Sequence, residues 1–342
     1  MSQVQPATTA PAPPPRHRMA LLVWIAAPGP AAAENDHWAE RLTFSTGRSV
    51  AYVASAPLRQ AQPQVQIAIL VVHGLDRDHE GNFARIMTAA RASGKAPTTL
   101  VIAPRFKTAD DQPAADEHVW TNDGWPSGDL SRDGKDAASR VSSFAVLDRL
   151  YAELSDTTRF PGLRRIVLVG HSAGGQLVNR YVAVGRLGED AERAPGRLEY
   201  RFVIANPSSY LYLDERRPVP GKDRFEPPAQ PSPGYNDWRH GLERRNAYAA
   251  RLSVDEIRAH VFSRAAYYLI GTADTRRDRS LSVSPPSMLE GENRYDRWEK
   301  FRRYVGLFPE WRDHVVFAEV LGAGHSGAQM FDSRPAREAM FE

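Results

Sequence analysis

Ile166-Val167-Leu168-Val169-Gly170-His171-Ser172-Ala173-Gly174-Gly175 is an apolar run that ends in a glycine-rich turn, and an apolar stretch continues to residue 184. The four aliphatic residues read as a strand, and residues 172–184 read as a helix. Ser172 stands at the junction, on the sharp and strained turn that the G-x-S-x-G spacing demands. Glycines two residues to either side remove Cβ atoms where the chain crosses itself, so that Oγ is pushed out above the sheet. The same turn leaves the Ala173 N–H at a helix N-terminus, where unpaired donors and the helix dipole favour an anion. Ser172 is therefore the candidate nucleophile and the Ala173 N–H a candidate oxyanion donor. The plainer alternative is a glycine-rich turn that serves close packing alone.

Working outward, strands and helices alternate. Residues 41–46 and 49–55 read as an antiparallel hairpin around Gly47 at a sheet edge. Residues 67–72 (IAILVV) form a continuous apolar run, as expected of a strand buried on both faces. Further strands are expected at 99–103, 202–205, 266–270 and 315–321, and helices at 82–93, 137–154, 294–304 and 334–341. Residues 107–135 are polar and rich in Gly, Pro and Asp, a loop long enough to carry function. Residues 207–263 break the rhythm with Pro, Arg, Tyr and Trp and read as an insertion or lid. The alternation argues for a mostly parallel sheet flanked by helices.

A serine needs a base, and the base needs an orienting acid. Four histidines follow Ser172: His240, His260, His314 and His325. His325 lies in Gly322-Ala323-Gly324-His325-Ser326-Gly327, just past the strand at 315–321, where a base on the sheet's C-terminal edge belongs. His314 precedes that strand, and His240 and His260 fall in the insertion. For the acid, the strand at 266–270 leads into Thr272-Ala273-Asp274, with Asp278 as the competitor further along an Arg-rich loop. The order Ser172, Asp274, His325 is the order this chemistry takes on a sheet of this kind.

A second oxyanion donor is expected after the first buried strand, in Val72-His73-Gly74-Leu75-Asp76. The Leu75 N–H is the candidate and the Asp76 N–H its near alternative. The same stretch has metal-ligand residue types, His73, Asp76, Asp78 and His79. It matches a binuclear zinc run poorly, with Leu75 where a histidine is needed. A calcium loop fails at Met87, where a bidentate Glu belongs. No metal site is expected. Trp120 and Trp125, in the long loop, suit either stacking on the substrate or anchoring the loop by burial. Tyr210, Tyr212, Tyr235 and Trp238 in the insertion raise the same question.

Composition narrows the function classes. The 342 residues carry 44 Lys+Arg against 41 Asp+Glu, for a net charge of +3. The cations are spread among acids, unlike the one-sided basic stripe of a nucleic-acid binder, and no nucleic-acid partner is expected. There is no cysteine, which excludes disulfides, thiolate metal sites and a cysteine nucleophile. Residues 1–33 stand apart from the domain at 34–342. A Pro/Ala-rich start, Arg16-His17-Arg18, the apolar run 19–27, Pro28-Gly29-Pro30 and Ala31-Ala32-Ala33 follow the order of a secretory signal peptide. On that reading the protein is secreted or periplasmic; a disordered extension, or a true start at Met19, is the other account. The apolar run is far short of the ~20 residues of a membrane-spanning helix, so no stable membrane span is expected.

With these residues in view, the chain resembles the α/β-hydrolase superfamily over roughly residues 65–330. Gly170–Gln176 (GHSAGGQ), residues 206–212 (NPSSYLY) and residues 322–326 (GAGHS) are similar to a largely uncharacterised group of fungal and bacterial hydrolases within it. The resemblance implies an α/β-hydrolase fold, a triad of Ser172, Asp274 and His325, an oxyanion hole and no cofactor. It implies a serine hydrolase, most simply a carboxylic ester hydrolase acting on a small-molecule ester or acyl substrate. An amidase, peptidase or acyltransferase using the same triad is the alternative. Fold does not fix substrate.

Overall fold

The computed structural model describes Met1, residues 37–187 and residues 197–342. The chain divides into two units, Met1–Asp36 and His37–Glu342, and every helix and strand described below belongs to the second. The signal-peptide reading of residues 1–33 lies outside the described residues.

Eight strands form one sheet. In chain order the elements are β1 (Trp38–Thr43), β2 (Ser49–Ala54), β3 (Ile67–Val72), α1 (His79–Ala92), β4 (Thr99–Pro104), α2 (Ser143–Leu154), β5 (Arg165–His171), α3 (Ala173–Val184) and β6 (Glu199–Ala205). They continue with the short pair β7 (Arg217–Pro218) and β8 (Phe225–Glu226), then α4 (Val254–Ser263), β9 (Ala265–Gly271), α5 (Pro285–Glu290), α6 (Arg294–Val305), α7 (Pro309–Arg312), β10 (Val315–Val320), α8 (Gly327–Asp332) and α9 (Arg334–Phe341). The strand order is β1-β2-β4-β3-β5-β6-β9-β10. Only the pairings of β2, with β1 and with β4, are antiparallel; every other neighbour in this sheet is parallel.

The unbroken apolar run of β3 is explained by its place. Successive side chains point to opposite faces, and each face has its own core. Ala68, Leu70 and Val72 join Phe144, Leu147, Leu177 and Phe301, from α2, α3 and α6, on one side. Ile67, Ile69 and Val71 join Phe83, Ile86, Met330 and Met340, from α1, α8 and α9, on the other. The parallel strands all end at one sheet edge, so the loops after β3, β5, β6, β9 and β10 converge there. That edge is where open α/β sheets bind ligands.

Several boundaries differ from expectation. The expected helix at 137–154 opens as a separate 3-10 turn, Ala137–Ser139, and α2 begins only at Ser143. The break follows from Ser142, whose extended backbone and Oγ, accepting from Phe144 N–H, form an N-cap. The first strand runs Trp38–Thr43 rather than 41–46. The segment 207–263, read from sequence as an insertion or lid, begins packed into the core. Tyr210 and Tyr212 are fully buried, and Tyr210 stacks on Phe301 with ring centroids 4.2 Å apart. No helix among the described residues is long and apolar enough to cross a membrane.

Candidate active site

The turn at Ser172 is as tight as its glycines suggest. A Cβ on Gly170 would lie 2.3 Å from the Gly174 carbonyl carbon, and a Cβ on Gly174 would lie 2.3 Å from the Val72 carbonyl oxygen. Ser172 itself takes φ 59° and ψ −121°, a strained conformation for a residue with a side chain, of the kind that persists where surrounding structure enforces it. Its N–H is tied to the Ala205 carbonyl at 2.9 Å, which fixes the turn against β6.

Ser172 Oγ lies 3.0 Å from His325 Nε2, and His325 Nδ1 lies 2.7 Å from Asp274 Oδ2. A carboxylate only accepts, so Nδ1 carries the proton and Nε2 faces the serine hydroxyl as an acceptor. The loops that bring these groups together are stitched to each other. Ala273 N–H donates to the Ala323 carbonyl at 2.9 Å, and Gly322 N–H donates to Thr272 Oγ1 at 2.9 Å. Gly271 permits this closeness, since a Cβ there would meet the Ala323 oxygen at 2.3 Å.

Asp274 is buried and held from several sides. Asn206 Nδ2 donates to its Oδ2 at 2.6 Å, and the fully buried Arg294 reaches Oδ1 at 3.4 Å. The competing acid, Asp278, does not face His325. It receives two bonds from Arg294, at 3.1 and 3.2 Å, and one from the Ser280 hydroxyl at 2.6 Å. Burial works against its ionisation, but the Arg294 and Ser280 bonds outweigh it and hold the carboxyl well below the usual range. Sequence reasoning does not mark Asn206 or Arg294 as supports of the acid. The signal for Asn206 is its place at the end of β6, the same edge as Ser172; Arg294, on α6, carries none.

The loop after β3 is fixed by His73, which is fully buried. Phe106 N–H donates to His73 Nε2 at 2.9 Å, so the ring proton sits on Nδ1, which donates to the Gly74 carbonyl at 2.8 Å. The Gly74–Leu75 peptide is planar and trans, so holding its carbonyl on one side turns the Leu75 N–H to the other. Leu75, Asp76, Arg85, Ser172, His325 and Ser326 are among the residues that line a cleft of about 390 Å³. His171 packs its ring 4.6 Å from that of His325, and burial, reinforced by the positive charge of Arg294, pushes its pKa well below the ordinary value.

Trp120 and Trp125 do not line this cleft. Both are buried: Trp125 stacks on Phe106 at 5.7 Å and packs on His73 at 4.7 Å, while Trp120 Nε1 donates to the carbonyls of Asp129 and Val141. These contacts overturn the reading of the two rings as substrate contacts: they anchor the 107–135 loop, because their bulk is needed beneath it. Among the described residues no three His, Asp or Glu side chains converge to hold a metal. Asp78 instead caps α1, accepting from Gly81 N–H at 2.8 Å.

No protein-family model matches the chain, and no curated protein matches it in sequence. Solved structures do match in shape. Poly(aspartic acid) hydrolase-1 from Sphingomonas sp. KT-1 aligns with a TM-score of 0.62 at 21% identity, covering 90% of this chain and 98% of that one. A poly(3-hydroxybutyrate) depolymerase from Bordetella parapertussis aligns with a TM-score of 0.57 at 19% identity, covering 85% of this chain and 86% of that one. The chain has the α/β-hydrolase fold. On such a fold ligands bind outside the C-terminal ends of the strands, and the loops at that edge hold Ser172, Asp274 and His325.

Proposed function

We propose that this protein is a serine hydrolase of carboxylic esters that works through an acyl-enzyme. The observation that carries this reading is the continuous hydrogen-bonded path from Ser172 Oγ through His325 to Asp274, at 3.0 and 2.7 Å. Ser172 Oγ attacks the ester carbonyl carbon as its proton passes to His325 Nε2, and Asp274 stabilises the imidazolium that results. The negative charge on the carbonyl oxygen falls to the N–H groups of Leu75 and Ala173, the second of them at the start of α3. Collapse breaks the ester C–O bond, and the departing alkoxide takes the proton from His325. Water then attacks the acyl-serine with His325 as base, releasing the acid and restoring the serine. One of the two fold relatives is a hydrolase by name and the other a depolymerase, in keeping with this reading.

The test is hydrolysis of p-nitrophenyl acetate, butyrate and decanoate by the full chain and by Ser172→Ala. The expected result is turnover that vanishes in the variant. Equal rates in both proteins, or none in either, would overturn the reading.

A further inference from the structure

A second pocket, of about 230 Å³, opens beside the cleft and shares Leu75 and Ser280 with it as walls. It has room for a short chain ending in a small polar group. One wall is α3. Gln176 and Arg180, four residues apart within α3, share a helix face, and both line the pocket.

Arg180 is buried, and its partners are all neutral. Nε donates to the Arg239 carbonyl at 3.1 Å, Nη1 to the Pro126 carbonyl at 3.0 Å, and Nη2 to Ser209 Oγ at 2.9 Å and Gln176 Oε1 at 3.5 Å. No carboxylate among the described residues forms an ion pair with it. Buried charges are usually paired, since desolvation penalises a lone one. Burial has indeed pushed Arg180 down to about 9, which leaves it protonated at neutral pH.

Two more guanidinium groups line the same pocket, those of Arg239 and Arg279. Arg239 reaches the exposed Asp123, also in the lining, at 3.4 Å; Arg279 is exposed and has no ion-pair partner among the described residues. His240, in the same wall, is kept neutral by burial despite its contact with Glu290 at 2.7 Å. That buried carboxylate is already taken up by His240 and by the Tyr210 N–H. Three cations thus face one rim acid, with the hydroxyl-bearing Ser209, Ser280, Ser282 and Ser284 around them.

We propose that this pocket binds a carboxylate carried by the substrate, so that the esters preferred at Ser172 are anionic ones. The proposal rests on the esterase reading of Ser172. Guanidinium groups match a carboxylate in charge and in planar, two-pronged geometry, and the shared walls put the bound anion one pocket away from the reacting carbonyl.

The full chain is assayed with p-nitrophenyl valerate and p-nitrophenyl hemiglutarate, which differ by a terminal methyl against a terminal carboxylate. The anionic ester is expected to have the higher kcat/KM by about tenfold or more, and Arg279→Gln and Arg239→Gln are expected to shrink that ratio severalfold, as is about 0.5 M sodium chloride. Partial unfolding lowers both rates together and leaves the ratio unchanged. In parallel, Ser172→Ala is titrated calorimetrically with monomethyl glutarate and with methyl valerate, with and without Arg279→Gln. Hydrolysis of valerate with no preference for the anion overturns the carboxylate site and spares the esterase reading. Absence of hydrolysis, with monomethyl glutarate still bound in an Arg279-dependent way, overturns the esterase reading and spares the site. A ratio untouched by both arginine variants overturns the proposal, and Arg180 is then a strut between the loops at Pro126 and Arg239.

Discussion

Asn206 Nδ2 lies 2.6 Å from Asp274 Oδ2, the same oxygen that faces His325 Nδ1 at 2.7 Å. One carboxylate oxygen thus accepts from two donors, and its second donor sets the angle at which the first is met. Asn206 takes φ 47° to do this, a left-handed conformation that asparagine tolerates better than most residues. Its N–H donates to the Leu269 carbonyl at 3.0 Å, so β9 holds the backbone while the side chain holds the acid.

Asn206→Ala is therefore expected to act through Asp274. A hydrogen bond to a charged group contributes about 1.5–3 kcal/mol, which corresponds to a drop of roughly 10- to 100-fold in kcat. KM should change little, because Asn206 touches the acid and not the substrate cleft. Steady-state kinetics across pH, with circular dichroism to confirm folding, would check this. An unchanged kcat would remove Asn206 from the positioning of Asp274.

Much of this edge is legible in the sequence because each candidate residue follows its own strand. Ser172, Asp274 and His325 can be located from the apolar runs before them and the glycines around them. The side chains that hold them are harder to find. Arg294 arrives from α6, on a different element from Asp274, and nothing in its neighbours indicates which acid it meets. Arg180 does leave a signal, a lone cation four residues after Gln176 on one face of α3, hidden by the apolar residues that make the helix read as core. Trp120 and Trp125 point the wrong way because a tryptophan in a long loop looks the same in sequence whether it faces substrate or packs beneath the loop.

The two acids of the Arg-rich loop should separate cleanly. Asp274→Asn alters the partner of His325 and favours the wrong ring tautomer, with an expected loss on the order of 10³- to 10⁴-fold in kcat. Asp278→Asn weakens the clamp on Arg294 and the bond from Ser280, away from His325, and a loss of about tenfold or less is expected. Similar losses from both substitutions would mean that Asp278 takes a direct part, against its position on Arg294.

Gly174→Ala tests the turn itself. The new methyl would meet the Val72 and His73 carbonyl oxygens at 2.3 and 2.6 Å, both of them backbone atoms of the strand and loop beside it. Neither can rotate away, so β3 or α3 must shift. Destabilisation of about 3 kcal/mol or more is expected from overpacking of this kind, together with loss of activity. Urea unfolding would read it as a lower midpoint at unchanged slope. A variant as stable as the parent would show that the strand and helix can part without cost.

Acid should loosen the fold through its buried histidines. Burial is the leading cause that pushes His73 from 6.5 down to about 4; the Gly74 bond opposes it, and the charges of Arg77 and Arg105 reinforce it. His79 falls to about 4 with burial again leading. A depressed histidine binds its proton more readily in the unfolded chain. Stability is therefore full above the unfolded value of about 6.5 and declines as pH falls towards about 4. For His73 the decline is on the order of 3 kcal/mol. Protonation there also puts a donor where Phe106 N–H needs an acceptor, and so strikes the support of the loop after β3. Urea midpoints measured in steps from about pH 7 to about pH 4 should fall across this window, with a shallower slope in His73→Gln. A midpoint that stays level down to about pH 4, or a slope that His73→Gln leaves untouched, would mean that His73 is not held neutral by the fold.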